Sequence, residues 1–382
     1  MKIGIASAGR FHALDLAREL DHLGFEALFY SYVPVGRAER FGLPANCQRS
    51  LLPFVAPLVA WQNCMGNVFP GLQEKLMAHG LNRSTMMRLG PCDVFICMSG
   101  LYLEAAQYAR RRYGAQVWLE RGSRHVLSQQ AILKECGSSR LPSDFAIERE
   151  LAGYELADKI VVPSSHVAES FAQYGAQLMP KLFVNPYGVD LDQFPQHQSS
   201  LSSTPKTVLF VGSWSRRKGA DILMNAIRKI DGARLLHVGT IVDVPFPDGD
   251  ERFEHVEPVP QWRLKEYYEK AHVFALASRE EGLALVQLQS LASGLPLVCT
   301  TRTGGQDLQL SPALTERISV VEAGDDEVFA EQLGDMLERA THANGTPMLT
   351  PQDREVLSWR AYGQRYCDEL MRSSSLPATG VA

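Results

Sequence analysis

The 382-residue sequence predicts an α/β protein built of two doubly wound domains in tandem. Three observations predict it. Short β-type apolar runs alternate with longer amphipathic segments along the whole chain, which is the rhythm of parallel sheets covered by helices on both faces. A polar, Ser-rich stretch bounded by prolines, Pro195 to Pro205 (PQHQSSLSSTP), interrupts that rhythm near the middle. The length also suffices for two domains of roughly 150–200 residues, each with its own core. A ligand cleft is then expected where the C-terminal ends of the two sets of strands face each other.

Taken in order, the strand candidates are KIGIAS (2–7), ALFYSY (27–32), DVFICM (93–98), QVWLER (116–121), DKIVVPS (158–164) and LFVNP (182–186). The second series is TVLFVGS (207–213), ARLLHVG (233–239), HVFALAS (272–278), LPLVCTT (295–301) and RISVVE (317–322). The expected division is 1–195 for the first domain, 196–205 for the linker and 206–350 for the second domain. Residues 351–372 are expected to form a helix returning to the first domain, with Trp359, Tyr362 and Tyr366 as packing residues at helical spacing. Residues 373–382 are read as a disordered tail, and their LPATG string as chance.

Hydrophobic residues make up 45% and charged residues 21%, an ordinary globular composition that excludes wholesale disorder. A net charge of -5 offers no basic field to attract nucleic acid. The seven cysteines form no CxxC pair, several lie in apolar runs, and they read as free thiols of a reducing, cytoplasmic compartment. The N-terminus lacks the apolar core of a signal peptide. The most apolar run, Leu51 to Trp61, carries two prolines and is far below the ~20 residues of a membrane span.

Four constellations carry chemistry. In TVLFVGSWSRRKGADILMNAI (207–227) a buried strand ends at Gly212, a loop bears Arg216, Arg217 and Lys218, and a helix opens after Gly219. Cations and free N–H groups at a helix start suit a phosphate or diphosphate, although a basic surface turn explains them equally. In ASREEGLALVQLQSLASGLPL (277–297), Glu280 and Glu281 precede a helix that carries Gln289. Gln289 lies about 12 Å along the axis from Glu281 at ~1.5 Å per residue, so the pair could grip two hydroxylated parts of one ligand. An ordinary helix start with dipole-stabilised carboxylates is the alternative. The first loop, Ser7-Ala-Gly9-Arg-Phe-His12, lets a ligand approach the backbone at Gly9, or serves only a tight turn. It is not GxGxxG, which argues against a dinucleotide oxidoreductase. In QVWLERGSRHVLSQ (116–129), Glu120, Arg121, Ser123, Arg124 and His125 cluster at a strand end facing the expected cleft.

Together these pieces resemble glycosyltransferase family 4, the retaining, nucleotide-sugar-dependent enzymes of GT-B fold, over nearly the whole chain. SREEGLALVQLQSLASGLPLVCTTRTGG (278–305) is similar to the family's Ser-x-x-Glu-Gly segment and following helix, and VGSWSRRKG to its phosphate loop. NPYGVDLDQF (185–194) and ADKIVVPSSHVAESF (157–171) resemble the elements before the linker. The resemblance implies two Rossmann-like domains facing each other across a cleft, with the acceptor on the N-terminal side and the donor on the C-terminal side. It implies that Lys218 and Arg217 neutralise the donor diphosphate, with Gly212 and Ser213 in the same loop. Glu281 and the segment Gly282, Leu283, Ala284 and Leu285 would hold the donor sugar, Gln289 the ribose, the region of Val256 the base, and Gly9 the diphosphate. His125 would touch donor sugar or acceptor. No metal and no cofactor are implied beyond the nucleoside-diphosphate sugar as co-substrate. Three positions depart from the pattern. Gln289 replaces the second acid of the Glu-x7-Glu motif, Ser213 stands in place of an arginine, and Ala284 in place of a common glycine.

The expected activity is sugar transfer to a glycan or lipid-linked acceptor. A nucleotide-sugar epimerase and a non-catalytic nucleotide-sugar or glycan-binding protein are the alternatives. Residues 51–61 with the helix-like Leu72 to Arg88 read either as a seat for a membrane-linked acceptor, in peripheral contact with the inner face of a membrane, or as a core helix plus a Pro-kinked loop.

Overall fold

The computed structural model describes residues 1–65, 68–138, 141–197, 206–341 and 347–375. Most of the expected linker, the string LPATG and the last residues of the chain therefore lie outside the described residues. Two parallel sheets form the framework. The first has seven strands: β1 (Lys2–Ala6), β2 (Glu26–Ser31), β3 (Gln48–Ser50), β4 (Val94–Met98), β5 (Gln116–Glu120), β6 (Lys159–Val162) and β7 (Leu182–Val184). Their order is β3-β2-β1-β4-β5-β6-β7. The second has six: β8 (Lys206–Val211), β9 (Ala233–Val238), β10 (Phe253–Val256), β11 (Val273–Leu276), β12 (Leu297–Thr300) and β13 (Ile318–Val321), in the order β10-β9-β8-β11-β12-β13.

All pairings are parallel, with β1 running beside both β2 and β4, and β8 beside both β9 and β11. In each sheet the strand order reverses beside the first strand, which opens a crevice at the carboxyl ends of the strands. Central strands such as VLFV of β8 and VFAL of β11 are fully buried, because helices cover both faces.

Two of the four edge strands, β3 and β10, are absent from the sequence-based expectation. QRS is three polar-leaning residues and FEHV contains a glutamate and a histidine. An edge strand has one neighbour and one protected side, so it needs no apolar run. A second difference concerns residues 51–61, which form a helix, Leu52–Met65, rather than a kinked loop. Pro57 costs that helix one hydrogen bond, and packing along the helix Pro70–Arg88 compensates.

The C-terminal helix Trp359–Ser375 crosses back to the first sheet and packs along the helix Phe11–His22. Tyr366 donates to Glu120 at 2.7 Å, Arg365 reaches Asn185 at 2.7 Å, and Lys159 pairs with Glu369 at 2.6 Å. Trp359, Tyr362 and Tyr366 are all buried. Among the described residues, no helix is long and apolar enough to cross a membrane.

Candidate active site

Beyond β8 the chain turns sharply before the helix Ala220–Lys229. Gly219 makes that turn possible. Its φ of +73° is left-handed, and a Cβ there would run into the carbonyl of Ala277 at the end of β11. The turn is therefore pressed against the loop that follows β11, and hydrogen bonds join the two. The Arg279 amide donates to the Arg217 carbonyl at 2.8 Å, and its guanidinium to the Arg216 carbonyl at 2.7 Å. That guanidinium also holds Asp221 in two bonds of 2.7 and 2.9 Å.

The two carboxylates that follow take different partners. Glu281 meets the ammonium of Lys218 and lies 3.3 Å from Nη1 of Arg217. Glu280 is 1% exposed, pairs with the same Arg217 nitrogen at 3.2 Å, and accepts a hydrogen bond from Ser123 of the first sheet's loops. Arg217 thus bridges both acids, with its main-chain oxygen already engaged by Arg279.

The loops after β5 and β6 close on this cluster from the N-terminal side. Gly282 lies so near the Gly122 carbonyl that a Cβ would collide with it. Ser164 donates to the Gly282 carbonyl at 2.8 Å, and Nε2 of His166 to the Glu281 carbonyl at 2.9 Å. Ser165 holds Asp307 through its amide and hydroxyl, at 2.9 and 3.1 Å. Farther along, Arg10 reaches Gln261 at 3.0 Å. Burial pushes the His166 imidazole down to about 4, so it is neutral near pH 7.

A cleft of about 780 Å³ opens between the helix Val126–Glu135 and the ends of β8 and β9, with Gln129, Ser213, Arg217, Thr240 and Glu280 on its walls. That space accommodates a nucleotide-sized ligand.

Of the expected residues, Ser213 and Arg217 line this cleft, Arg217 and Lys218 meet at Glu281, and Gly282 follows against the Gly122 carbonyl. Gly212 stands at the end of β8, its carbonyl taking a 2.9 Å bond from His237. Leu283 and Ala284 are buried, and Leu285 begins the helix Leu285–Ala292. Gly9 is half-buried, with its carbonyl accepting from Ser7 at 3.0 Å. Val256 ends the edge strand β10, and its carbonyl accepts from Gly239 at 3.0 Å. Gln289 is 5% exposed, and Tyr268 donates to its amide oxygen at 3.0 Å. Its amide nitrogen and the second lone pair of the oxygen are left to offer a ligand.

His125 departs from expectation. It is 1% exposed, stacks at 4.2 Å on Tyr174, and is enclosed by Tyr154 and Phe171. Its Nδ1 accepts from the Leu127 amide at 3.3 Å, so it caps the helix Val126–Glu135 from within instead of reaching into the cleft. Burial, reinforced by the charge of Arg121, pushes its imidazole down to about 4. The histidine that does touch the Glu281 loop is His166, and it escapes the sequence reading along with Ser164, Ser123 and Glu280 as partners across the boundary. The signal for His166 was its place in VPSSH, directly after a strand that ends at the cleft.

Comparisons with known proteins agree with this geometry. Residues 205–339 match the family of glycosyl transferases group 1. The D-inositol 3-phosphate glycosyltransferase of Streptosporangium roseum is 26% identical over 96% of this chain and 88% of its own. Its counterpart from Nocardiopsis dassonvillei is 25% identical over 56% of this chain, and that match spans 55% of the relative's length. In three dimensions the chain superposes on sucrose-phosphate synthase from Thermosynechococcus elongatus with a TM-score of 0.68, covering 98% of this chain and 99% of that one at 17% identity. It superposes on Anabaena HepE in complex with UDP with a TM-score of 0.62, covering 97% and 100% at 14% identity. The chain thus has the GT-B fold of two facing parallel sheets, and its second sheet lies inside a segment that matches the glycosyl transferases group 1 family.

Proposed function

We propose that the protein transfers a sugar from a nucleoside-diphosphate sugar to an acceptor hydroxyl, with retention at the anomeric carbon and without a metal ion. The observation that carries this reading is the Lys218–Glu281 pair beside the 780 Å³ cleft, with Arg217 on its wall. A diphosphate in that cleft meets a compact cation and a fork of N–H donors, and the sugar beyond it meets a carboxylate able to accept from its hydroxyls.

During transfer the bond from the anomeric carbon to the β-phosphate oxygen breaks, and that oxygen gathers negative charge. Lys218 and Arg217 are already in place to meet the charge, so little reorganisation opposes the step. The acceptor oxygen bonds to the anomeric carbon on the face the phosphate leaves. Its proton passes to the departing phosphate oxygen, giving the glycosylated acceptor and a nucleoside diphosphate. Anabaena HepE, a protein of the same fold, has also been solved with UDP-glucose.

The acceptor side supports a lipid-linked substrate. Phe54, Phe69, Leu72, Leu76 and Met87 are exposed on the helices Leu52–Met65 and Pro70–Arg88 and around their connection, with Lys75, Arg83 and Arg88 among them. A 450 Å³ pocket beside that hairpin, lined by Met77, Leu101 and Phe145, ends at Ser99 and Glu150 near the carboxyl end of β4. Co-sedimentation with anionic liposomes is expected, and failure to sediment contradicts the lipid-linked reading.

Sugar transfer is tested by incubating the full chain with UDP-, GDP- and ADP-sugars and candidate acceptors, with and without EDTA, and reading the anomeric configuration of the product by NMR. Transfer with retention in EDTA is expected. An inverted product or a strict need for a divalent ion contradicts the mechanism. An epimerised donor in the absence of acceptor contradicts transfer itself.

A further inference from the structure

A second cavity, of about 430 Å³, is bordered by Arg216 and lies between the end of the helix Val126–Glu135 and the carboxyl ends of β11, β12 and β13. Its walls carry three guanidinium groups, Arg216, Arg279 and Arg302, against the single carboxylate of Glu135. Such convergence stands out in a chain whose net charge is -5.

The three arginines are not equivalent. Arg279 is committed to Asp221, whose hydrogen bonds and charge outweigh burial and raise its pKa. The side chains of Arg216 and Arg302 have no hydrogen bond or ion pair to a described residue. Arg302 is half-buried and close enough to Arg124 that its charge, after burial, lowers the Arg124 pKa. Arg216 is exposed, and an anion placed between it and Arg302 relieves the repulsion that Arg302 feels from Arg124.

The cavity is coupled directly to the transfer site. Arg302's carbonyl accepts the Glu281 amide at 3.1 Å, and Arg216's carbonyl accepts from Arg279 at 2.7 Å. An anion held here would therefore bind the side chain of a residue whose main chain is hydrogen-bonded to the residue proposed to grip the donor sugar. Yet Lys218 and Glu281 do not line this cavity, and the 780 Å³ cleft has Arg217, not Arg216, on its wall. We propose that Arg216, Arg279 and Arg302 form a second anion subsite, separate from the diphosphate site. It takes a phosphate, carboxylate or sulfonate carried either by the transferred sugar or by the acceptor, and so selects for an anionic substrate. Planar guanidinium forks suit each of these oxyanions.

This inference rests on the nucleotide-sugar reading, and one experiment separates the two. Calorimetry first establishes UDP binding to the full chain. Inorganic phosphate is then titrated into the UDP-saturated protein, and into protein saturated with UDP-glucose or UDP-glucuronate, for wild type, Arg302→Gln and Arg216→Gln. Phosphate is expected to bind alongside UDP, roughly ten-fold more weakly in either variant, while UDP binds Arg302→Gln as it binds wild type. If UDP-glucuronate excludes phosphate and UDP-glucose does not, the donor sugar carries the anionic group. If phosphate binds alongside both conjugates, the acceptor carries it. Displacement of UDP by phosphate would make this pocket the diphosphate site and overturn the proposal. Equal phosphate affinity in wild type and both variants would mean an adventitious ion only, and overturns it too. Absence of binding by UDP, GDP and ADP alike would instead remove the nucleotide-sugar reading, and this subsite with it.

Discussion

Across the boundary between the two sheets, Nε2 of His166 donates a 2.9 Å hydrogen bond to the main-chain oxygen of Glu281. A carbonyl oxygen can only accept, so the proton of the neutral ring resides on Nε2. Nδ1, left without a proton, lies 2.9 Å from the Ser164 hydroxyl, whose single proton it shares with the Gly282 carbonyl at 2.8 Å. The N-terminal half thereby fixes the backbone of the residue whose carboxylate meets Lys218.

His166→Ala is expected to lower kcat by about a hundred-fold with a smaller change in KM, because the Glu281 loop loses an anchor and small displacements at a reacting centre cost rates of that order. His166→Gln retains a donor and is expected to recover part of the loss. Equal kcat in wild type and His166→Ala would show that the contact does not position the loop. Steady-state kinetics on both variants decides between these outcomes.

Gly282→Ala places a methyl group against the Gly122 carbonyl and forces the halves apart. Transfer activity is expected to fall by about a hundred-fold or more, with both sheets still folded. Circular dichroism and small-angle scattering check that the chain stays folded while its interdomain distance grows. Unchanged activity contradicts the closed junction.

Gln289 separates two roles. Tyr268 occupies its oxygen, and Gln289→Glu preserves that acceptor while adding charge. If the residue also reaches the ribose, Gln289→Glu tightens donor binding by up to about ten-fold through a charge-assisted bond. Identical donor affinity in Gln289→Glu and Gln289→Ala removes the ribose role.

His125, His166 and His237 are all pushed down from 6.5 to about 4, chiefly by burial. As pH falls, the unfolded chain takes up these protons before the folded one does. Their contribution is therefore complete above about pH 6.5 and is lost as pH falls toward 4, at up to about 1.4 kcal/mol per pH unit for each histidine. Urea unfolding between pH 7 and pH 4.5 is expected to show this slope, reduced in His237→Asn. A flat profile contradicts it.

The framework was readable from the chain because eleven of the thirteen strands described are short apolar runs, and burial on both faces leaves the central ones little freedom of composition. The edge strands β3 and β10 were not, because one-sided pairing tolerates Gln48, Arg49, Glu254 and His255. At the site, Arg217, Lys218 and Glu281 lie in local loop patterns and could be singled out by spacing. Glu280 and His166 depend on partners 157 and 115 residues away, a relationship no local pattern carries. His125 shows the converse. Its position at a strand end suggested a ligand, but the aromatic shell of Tyr154, Phe171 and Tyr174 converges on it only in three dimensions.

The central claim is that Lys218 and Glu281 form a donor site for a nucleoside-diphosphate sugar. Calorimetric titration of wild type, Lys218→Ala and Glu281→Ala with UDP, GDP and ADP and their sugar conjugates tests it most directly. One nucleoside diphosphate is expected to bind in EDTA. Lys218→Ala should weaken it by about ten- to hundred-fold, the loss of a charge-assisted contact, and Glu281→Ala should weaken chiefly the sugar conjugate. Binding that neither substitution alters, or no binding by any of the three, would contradict the account.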